Sequence, residues 1–169
     1  ELVENSLDAG AKNIEIHVVE NGLNLINVTD DGKGMTYHDL PLAFSRHATS
    51  KIYSFDDLFK LHSFGFRGEA LASIASSSRL TCISSPSQNK LEGVKFVIHA
   101  GEEISRTPIH SDRPGTAIWV KDLFYNTPAR LKFVRSKISE KFATNRQINA
   151  FLLSHPEISF TLQWDDRPK

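Results

Sequence analysis

The chain has 169 residues, with 20 basic and 20 acidic side chains, 40% hydrophobic residues, one Cys and one Met. That size and balance suit one domain able to bury about two-thirds of its unfolded surface, and they exclude a disordered tail, a collagen-like repeat and a disulfide scaffold. No run of about 18 apolar residues occurs and no basic-then-apolar leader is seen, so neither a membrane-spanning helix nor secretion is expected. Cys82 alone cannot form an internal bridge, which makes a reducing, cytoplasmic setting the default expectation. Met35 is the only methionine, so the expectation is a fragment whose position 1 is a cut edge.

The segment ELVENSLDAG predicts a helix stopped by Gly10, which suits a left-handed cap. Ile14, Ile16 and Val18 alternate, Asn21-Gly22 follows, and then come Leu23, Leu25 and Val28: a strand, a hairpin turn and a second strand. After the loop Asp30-Asp31-Gly32-Lys33-Gly34, Thr36 and Asp39 have capping-box spacing ahead of a short helix through Leu40, Leu42, Ala43 and Phe44. Residues 45–53 form an expected mobile loop, and Ser54 with Asp57 caps a further short helix. Phe64-Gly65-Phe66-Arg67-Gly68 opens a helix over Glu69 to Ser76, followed by strands near 78–85, 93–100, 103–109 and 115–122. A helix over about 138–154 and a strand near 158–164 close the chain. The economical architecture is one α+β sandwich, a mostly antiparallel sheet with helices on one face.

Zero net charge hides an asymmetry. Residues 1–40 carry eight acidic against two basic side chains, whereas residues 105–147 carry nine basic against three acidic. An acidic block suits a metal or proton-transfer site, and a basic one suits phosphates or nucleic acid; both patterns also fit solvated faces.

Three segments have the residue types that chemistry requires. Glu1, Asn5 and Asp8 are spaced i, i+4 and i+7, which aligns a carboxylate, an amide and a carboxylate along one helix face, with Val3 and Leu7 turned away. Helix-dipole preference accounts for Glu1 and Glu4, but not for Asn5, a poor helix former in mid-helix. In Asp30-Asp31-Gly32-Lys33-Gly34-Met35, alternate glycines let backbone approach a ligand and an Asp could accept from an amine; a simple turn fits equally well. In Gly65-Phe66-Arg67-Gly68-Glu69-Ala70-Leu71, two glycines at a helix start and an arginine suit an anion, and a loop that only turns the chain has equal standing.

Other chemistries have little support. A calcium loop placed with Gly32 sixth has His38 where the twelfth residue must be Glu, and no GxxxxGK[ST] phosphate loop occurs. The seven histidines show no HExxH spacing, no GxSxG elbow is present, and Ser87-x-x-Lys90 lacks companion motifs. Cys82, in an apolar strand, is expected in the core.

Taken together, ELVENSLDAG, DDGKGM, RHATSK, GFRGEALASI, PGTAIWV and LFYNTPAR resemble, in that order, the MutL family of DNA mismatch-repair proteins. The resemblance runs from residue 1 to about 135 and more loosely to the end. GFRGEAL and FYNTPAR are specific to MutL-like proteins; the first two motifs are shared with gyrase B, Hsp90 and histidine kinases, the GHKL superfamily.

The resemblance implies a two-layer sandwich of the GHKL (Bergerat) type over residues 1–169, truncated at its N-terminus and approaching the junction to a following domain over 140–169. It implies a slow ATPase that couples nucleotide state to dimerisation and to engagement of DNA or a partner. Glu1 matches the general base, Asn5 the Mg²⁺ ligand, Asp30 the acceptor of the adenine amino group and Thr116 the hydroxyl assisting it. Gly32 and Gly34 match the backbone under the purine, Thr49, Ser50 and Lys51 the nucleotide lid, and Gly65, Arg67 and Gly68 the phosphate loop. The implied cofactors are ATP and Mg²⁺. The implied partners are DNA, a MutS-type mismatch-recognition protein and a second MutL-like subunit in a homodimer or heterodimer. The implied setting is cytoplasmic and nucleoid-associated in a bacterium, nuclear in a eukaryote. The basic 105–147 block, centred on Arg130, Lys132, Arg135 and Lys137, becomes a candidate DNA-facing or subunit-facing surface. The alternatives are a nucleotide-insensitive DNA-binding or scaffold domain of the same fold, or another GHKL enzyme. A fragment beginning at Glu1 is expected to bind nucleotide weakly and to hydrolyse it poorly.

Overall fold

The computed structural model describes residues 1–45, 69–86 and 92–165. Thr49, Ser50, Lys51, Gly65, Arg67 and Gly68, the helix expected after Ser54, and the Ser87-x-x-Lys90 turn all lie outside the described residues.

The first helix, α1 (Leu2–Asp8), ends as its sequence predicts: Gly10 has φ +74° and its N–H bonds the Leu7 carbonyl at 2.9 Å. Strand β1 (Asn13–Val19) buries Ile14, Ile16 and Val18 and turns Glu15 outward. A short 3₁₀ turn over Glu20–Gly22, with Asn21 at φ 55° and Gly22 at φ 88°, leads into β2 (Leu25–Asp30). The strand thus starts two residues later than expected. Its core-facing residues are Ile26 and Val28, opposite Val18 and Ile16, and Leu25 pairs instead with Val19 on the other face. Thr36 Oγ1 accepts the Asp39 N–H at 3.2 Å, one of the two contacts of the expected capping box, whereas Asp39 accepts from the Thr36 hydroxyl at 2.7 Å and not from its backbone; α2 (Asp39–Ala43) follows. Then come α3 (Ala70–Ser76), β3 (Arg79–Ser85), β4 (Gly93–His99), β5 (Glu102–Ile109) and β6 (Gly115–Lys121). A one-turn helix α4 (Pro128–Leu131), absent from the sequence reading, precedes α5 (Lys137–Ser154) and β7 (Ser159–Trp164).

The sheet runs β5-β4-β3-β6-β2-β1-β7. Every pairing is antiparallel except β1 with β7, which is parallel because α5 carries the chain back along the sheet. Directly paired residues share a face, so the register defines rows across the sheet. One row is Val18, Ile26, Val120, Leu80 and Ile98, and the next is Ile16, Val28, Ile118, Cys82 and Phe96. Leu40 of α2 and Ala75 of α3 pack on the β3, β4 and β6 end of these rows, and Ile148 of α5 packs on the β1 and β2 end. Leu2 of α1 touches both. The helices therefore cover one face of a mostly antiparallel sheet, the expected two-layer arrangement. Burying Ile148 contributes about 2–3 kcal/mol. Cys82 lies fully buried in the second row, and desolvation pushes its thiol well above the ordinary range, so it acts as a core residue.

Candidate functional site

A third row, nearest the start of β1, changes character: Ile14, Asp30, Thr116, Ser84 and Val94. The helix-covered face is apolar in the first two rows and polar at the centre of this one. Ser84 is fully buried, Thr116 is 9% exposed and Asp30 is half-buried. A buried polar cluster persists only if its members bond one another, and these do.

Asp30 Oδ2 accepts the Ser6 hydroxyl at 2.7 Å, and Oδ1 accepts the Gly32 N–H at 2.9 Å in a local Asx turn. Desolvation raises the Asp30 pKa above its ordinary value of 3.8; hydrogen bonds from Ser6 and from the backbone of Gly32 and Thr116 act in the opposite direction. Ser84 Oγ accepts the Met35 N–H at 2.8 Å and lies 3.2 Å from the Gly115 carbonyl and 2.9 Å from Thr116 Oγ1.

Asp31, adjacent in sequence, has a different task. Its Oδ1 accepts the N–H groups of Lys12 and Asn13 at 2.7 and 2.9 Å, and Oδ2 accepts the Asn13 side-chain amide at 2.6 Å. Desolvation is the largest single influence on it and acts upward, but the hydrogen bonds from Asn13 and Lys12 together outweigh it and lower the Asp31 pKa. Asp31 therefore anchors the loop to the start of β1, and Asp30 is the carboxylate built into the polar row.

Backbone contacts hold the loop between these elements. The Lys33 N–H bonds the Ala9 carbonyl at 3.0 Å, and a Cβ on Gly32 would come within 2.7 Å of Ala9 Cβ. Gly34 has φ +64°, and a Cβ there would collide with the Ser85 carbonyl. Both glycines are thus required by packing, against the end of α1 and the end of β3.

The same helix that fastens Ser6 to Asp30 carries Glu1 and Asn5. Glu1 is exposed and Asn5 half-buried, and neither side chain is hydrogen-bonded to another described residue. Asn5 is therefore a poor helix former kept in mid-helix with no structural bond among the described residues. Among those residues no cluster of three or more His, Cys, Asp or Glu could hold a metal. Such a helix can contribute a single amide oxygen to a hard cation, leaving the other positions to water and phosphate, which suits Mg²⁺.

Ser6, Ser84 and the backbone of Met35 were not singled out from sequence. The available signal was a hydroxyl interrupting an apolar pattern: Ser6 between Val3 and Leu7, and Ser84 after Leu80 and Cys82. A separate cleft of about 540 Å³ is lined by Phe44, Ala72, Ala75, Phe96, Ile98 and Glu102, and no residue of the polar row lines it.

The basic block is divided between distant parts of the fold. Arg106, on edge strand β5, lies over Tyr37 at 4.5 Å, whereas Lys141, on α5 beside the opposite edge, lies over Trp164 at 4.8 Å. Arg130, Lys132, Arg135 and Lys137 are all exposed, on the stretch from α4 to the start of α5.

A polar row closing one end of an antiparallel sheet, with a helix-borne carboxylate and amide beside it, defines a class of ATP-binding domain. Residues 1–113 match the model of the family described as Histidine kinase-, DNA gyrase B-, and HSP90-like ATPase, and the chain belongs to that family. Within it, the resemblance to MutL holds along the whole chain. The DNA mismatch repair proteins MutL of Streptococcus thermophilus and Streptococcus sanguinis are 48% identical over 167 residues, 99% of this chain and 26% of theirs. The chain thus spans about a quarter of the length of these relatives. Among solved structures, the ATPase domain of Aquifex aeolicus MutL complexed with ADP superposes with TM-score 0.73 at 32% identity, covering 98% of this chain and 57% of that one. The N-terminal domain of a DNA repair protein superposes with TM-score 0.71 at 26% identity, covering 99% and 48%.

Proposed function

We propose that this chain is the ATP-binding and slowly ATP-hydrolysing module of a MutL-type DNA mismatch-repair protein, coupling nucleotide state to dimerisation and to engagement of DNA or a partner. The observation that carries the proposal is Asp30: a half-buried, desolvated carboxylate, fastened by Ser6 and Gly32 beside Thr116, on the helix-covered face. A carboxylate in that setting is a strong acceptor for an amine, and the purine amino group of ATP supplies one. The Aquifex relative was solved with ADP, which supports a nucleotide as the ligand.

Phosphoryl transfer to water requires positioning, charge neutralisation and a base. In this reading the Asn5 amide oxygen would hold Mg²⁺, and the ion would supply neutralisation of phosphate charge. Glu1 orients the attacking water and takes its proton as the water oxygen bonds the terminal phosphorus and the bond to the leaving phosphate oxygen breaks. General-base help of this kind contributes on the order of 10²–10⁴-fold. Gly32 and Gly34 place backbone beneath the purine. By resemblance, Thr49, Ser50 and Lys51 form the lid, and Gly65, Arg67 and Gly68 hold the phosphates. The exposed group Arg130, Lys132, Arg135 and Lys137 is the proposed DNA-facing or subunit-facing surface. A MutS-type protein and a second MutL-like subunit are the proposed partners, with residues 140–169 adjoining a following domain.

A nucleotide-insensitive scaffold of the same fold is disfavoured because Glu1, Asn5 and Asp30 are all retained. The test is Mg-ATP binding and turnover by the full chain, with whatever flanking sequence it carries in the cell. Asp30→Ala should lose ATP binding, and Glu1→Ala should keep binding and lose turnover. Unchanged binding in the first variant sinks the purine assignment; unchanged turnover in the second sinks the base.

A further inference from the structure

Ser84 meets three polar atoms with one proton. Its Oγ accepts the Met35 N–H at 2.8 Å, and that bond can run only one way. The proton then goes either to the Gly115 carbonyl, 3.2 Å away, or to Thr116 Oγ1, 2.9 Å away. If it goes to Gly115, the Thr116 hydroxyl must donate to Ser84, and Thr116 presents only lone pairs to its other side. If it goes to Thr116, the Thr116 proton is free for a ligand. Ser84 is fully buried, so water does not compete for this choice. Thr116 is paired with Asp30 in the sheet register, so its hydroxyl stands beside the carboxylate assigned to the purine amino group.

From this hydrogen-bond arithmetic we infer that Ser84 is a positioning residue for nucleotide recognition, holding the Thr116 hydroxyl beside Asp30 so that it donates to the acceptor nitrogen of the purine edge, directly or through one water. Adenine offers a donor, the 6-amino group, next to an acceptor, N1. Asp30 can only accept, so it can read only the amino group. The adjacent acceptor requires a donor, and the Ser84–Thr116 pair supplies one when the Ser84 proton turns from Gly115 to Thr116. The Met35 N–H adds a second constraint: it fixes Ser84 Oγ from the loop that carries Gly32 and Gly34, so the hydroxyl pair is tied to the backbone assigned to the purine floor.

This inference rests on the nucleotide site proposed above, and the experiment separates the two. ATP and 1-deaza-ATP, which keeps the amino group and lacks the N1 acceptor, are titrated by calorimetry against the full chain, Ser84→Ala, Ser84→Cys, Thr116→Val and Asp30→Ala. The wild type should prefer ATP over 1-deaza-ATP by about three- to tenfold, the worth of one neutral hydrogen bond. In Thr116→Val that preference should fall to near unity; in Ser84→Ala, where the Thr116 hydroxyl keeps its proton but loses the partner that orients it, the preference should fall below the wild-type value, and the double variant should match Thr116→Val. Ser84→Cys keeps the volume with a weaker donor and should give an intermediate ratio. A purely structural Ser84 would weaken both nucleotides in parallel and leave the ratio at its wild-type value, which overturns the inference. If Ser84→Ala does not fold, a wild-type ratio in Ser84→Cys overturns it equally. Unchanged ATP affinity in Asp30→Ala rejects the nucleotide site itself, whatever the ratios show.

Discussion

Replacing Asp30 with Asn separates the fold from the ligand. The amide has nearly the shape of the carboxylate, so its oxygen can keep the Gly32 N–H now bonded to Oδ1 at 2.9 Å. Its NH₂ then stands where Oδ2 stood, 2.7 Å from Ser6 Oγ, and donates to it. Ser6 can accommodate the reversal because the Leu2 carbonyl lies 3.3 Å from the same hydroxyl and takes its proton. Charge-assisted bonds become neutral ones, a loss of about 1 kcal/mol, while removal of a desolvated charge returns a similar amount. Folding stability should therefore stay within about 1 kcal/mol of wild type. Nucleotide binding has no such compensation, because the purine amino group now faces another NH₂. Loss of a charge-assisted bond together with an unpaired buried donor costs about 2–3 kcal/mol, or about 30- to 150-fold in Kd.

The variant should also change the pH profile. Burial raises the Asp30 pKa from 3.8, so between 3.8 and the raised value the native state binds more protons than the unfolded state, and wild-type stability falls as pH rises through that window. The variant should lack that slope. Urea unfolding across pH and calorimetric titration with ATP are the assays. A stability loss above about 3 kcal/mol with unchanged ATP affinity would refute the reasoning, because Asp30 would then be a structural residue.

Asp31→Ala should do the opposite, lowering stability by about 1 kcal/mol in urea unfolding, with ATP affinity unchanged once the protein is folded. Because the native Asp31 pKa is depressed below 3.8, its contribution is present above 3.8 and should fade as pH falls through the native value. Gly34→Ala should cost about 2 kcal/mol or more, since φ is +64° and the new Cβ meets the Ser85 carbonyl; thermal unfolding measures it. Arg130→Glu with Lys132→Glu should weaken DNA binding across all sequences and flatten its dependence on salt, with ATP turnover unchanged; DNA binding that keeps its salt slope removes this surface as the contact.

The parts of the fold visible in the sequence are those with a period. Ile14, Ile16 and Val18 announced β1, Gly10 announced the end of α1, and Thr36 with Asp39 announced the turn into α2. The parallel pairing of β1 with β7 could not be read, because it joins Asn13 to Ser159 across nearly the whole chain and leaves no local mark. Within the site, Asp30 and Thr116 were legible only through resemblance; a carboxylate in a Gly-rich loop also fits an ordinary turn. What the register adds is the row: Asp30 follows Ile26 and Val28, Thr116 precedes Ile118 and Val120, and Ser84 follows Leu80 and Cys82. Three strands each replace an apolar residue with a polar one at the same end of the sheet, which no single strand reveals. Ser6 was hidden for a related reason. It breaks the apolar stripe of α1 by one hydroxyl, and only its 2.7 Å bond to Asp30 explains why. Conversely, residues 105–147 are basic along the sequence, yet the sheet order sends Arg106 and Lys141 to opposite edges, so proximity in sequence overstated the patch.

The central claim is that the purine sits on the polar row, with the phosphates beside α1. A crystal structure of the full chain with Mg-ADP tests it directly. The account predicts the adenine amino nitrogen within 3.2 Å of an Asp30 carboxylate oxygen, the usual limit for such a bond, and the metal on the Asn5 amide oxygen. Nucleotide seated instead in the cleft between α2 and α3, with Asp30 still bonded only to Ser6 and backbone, would contradict it.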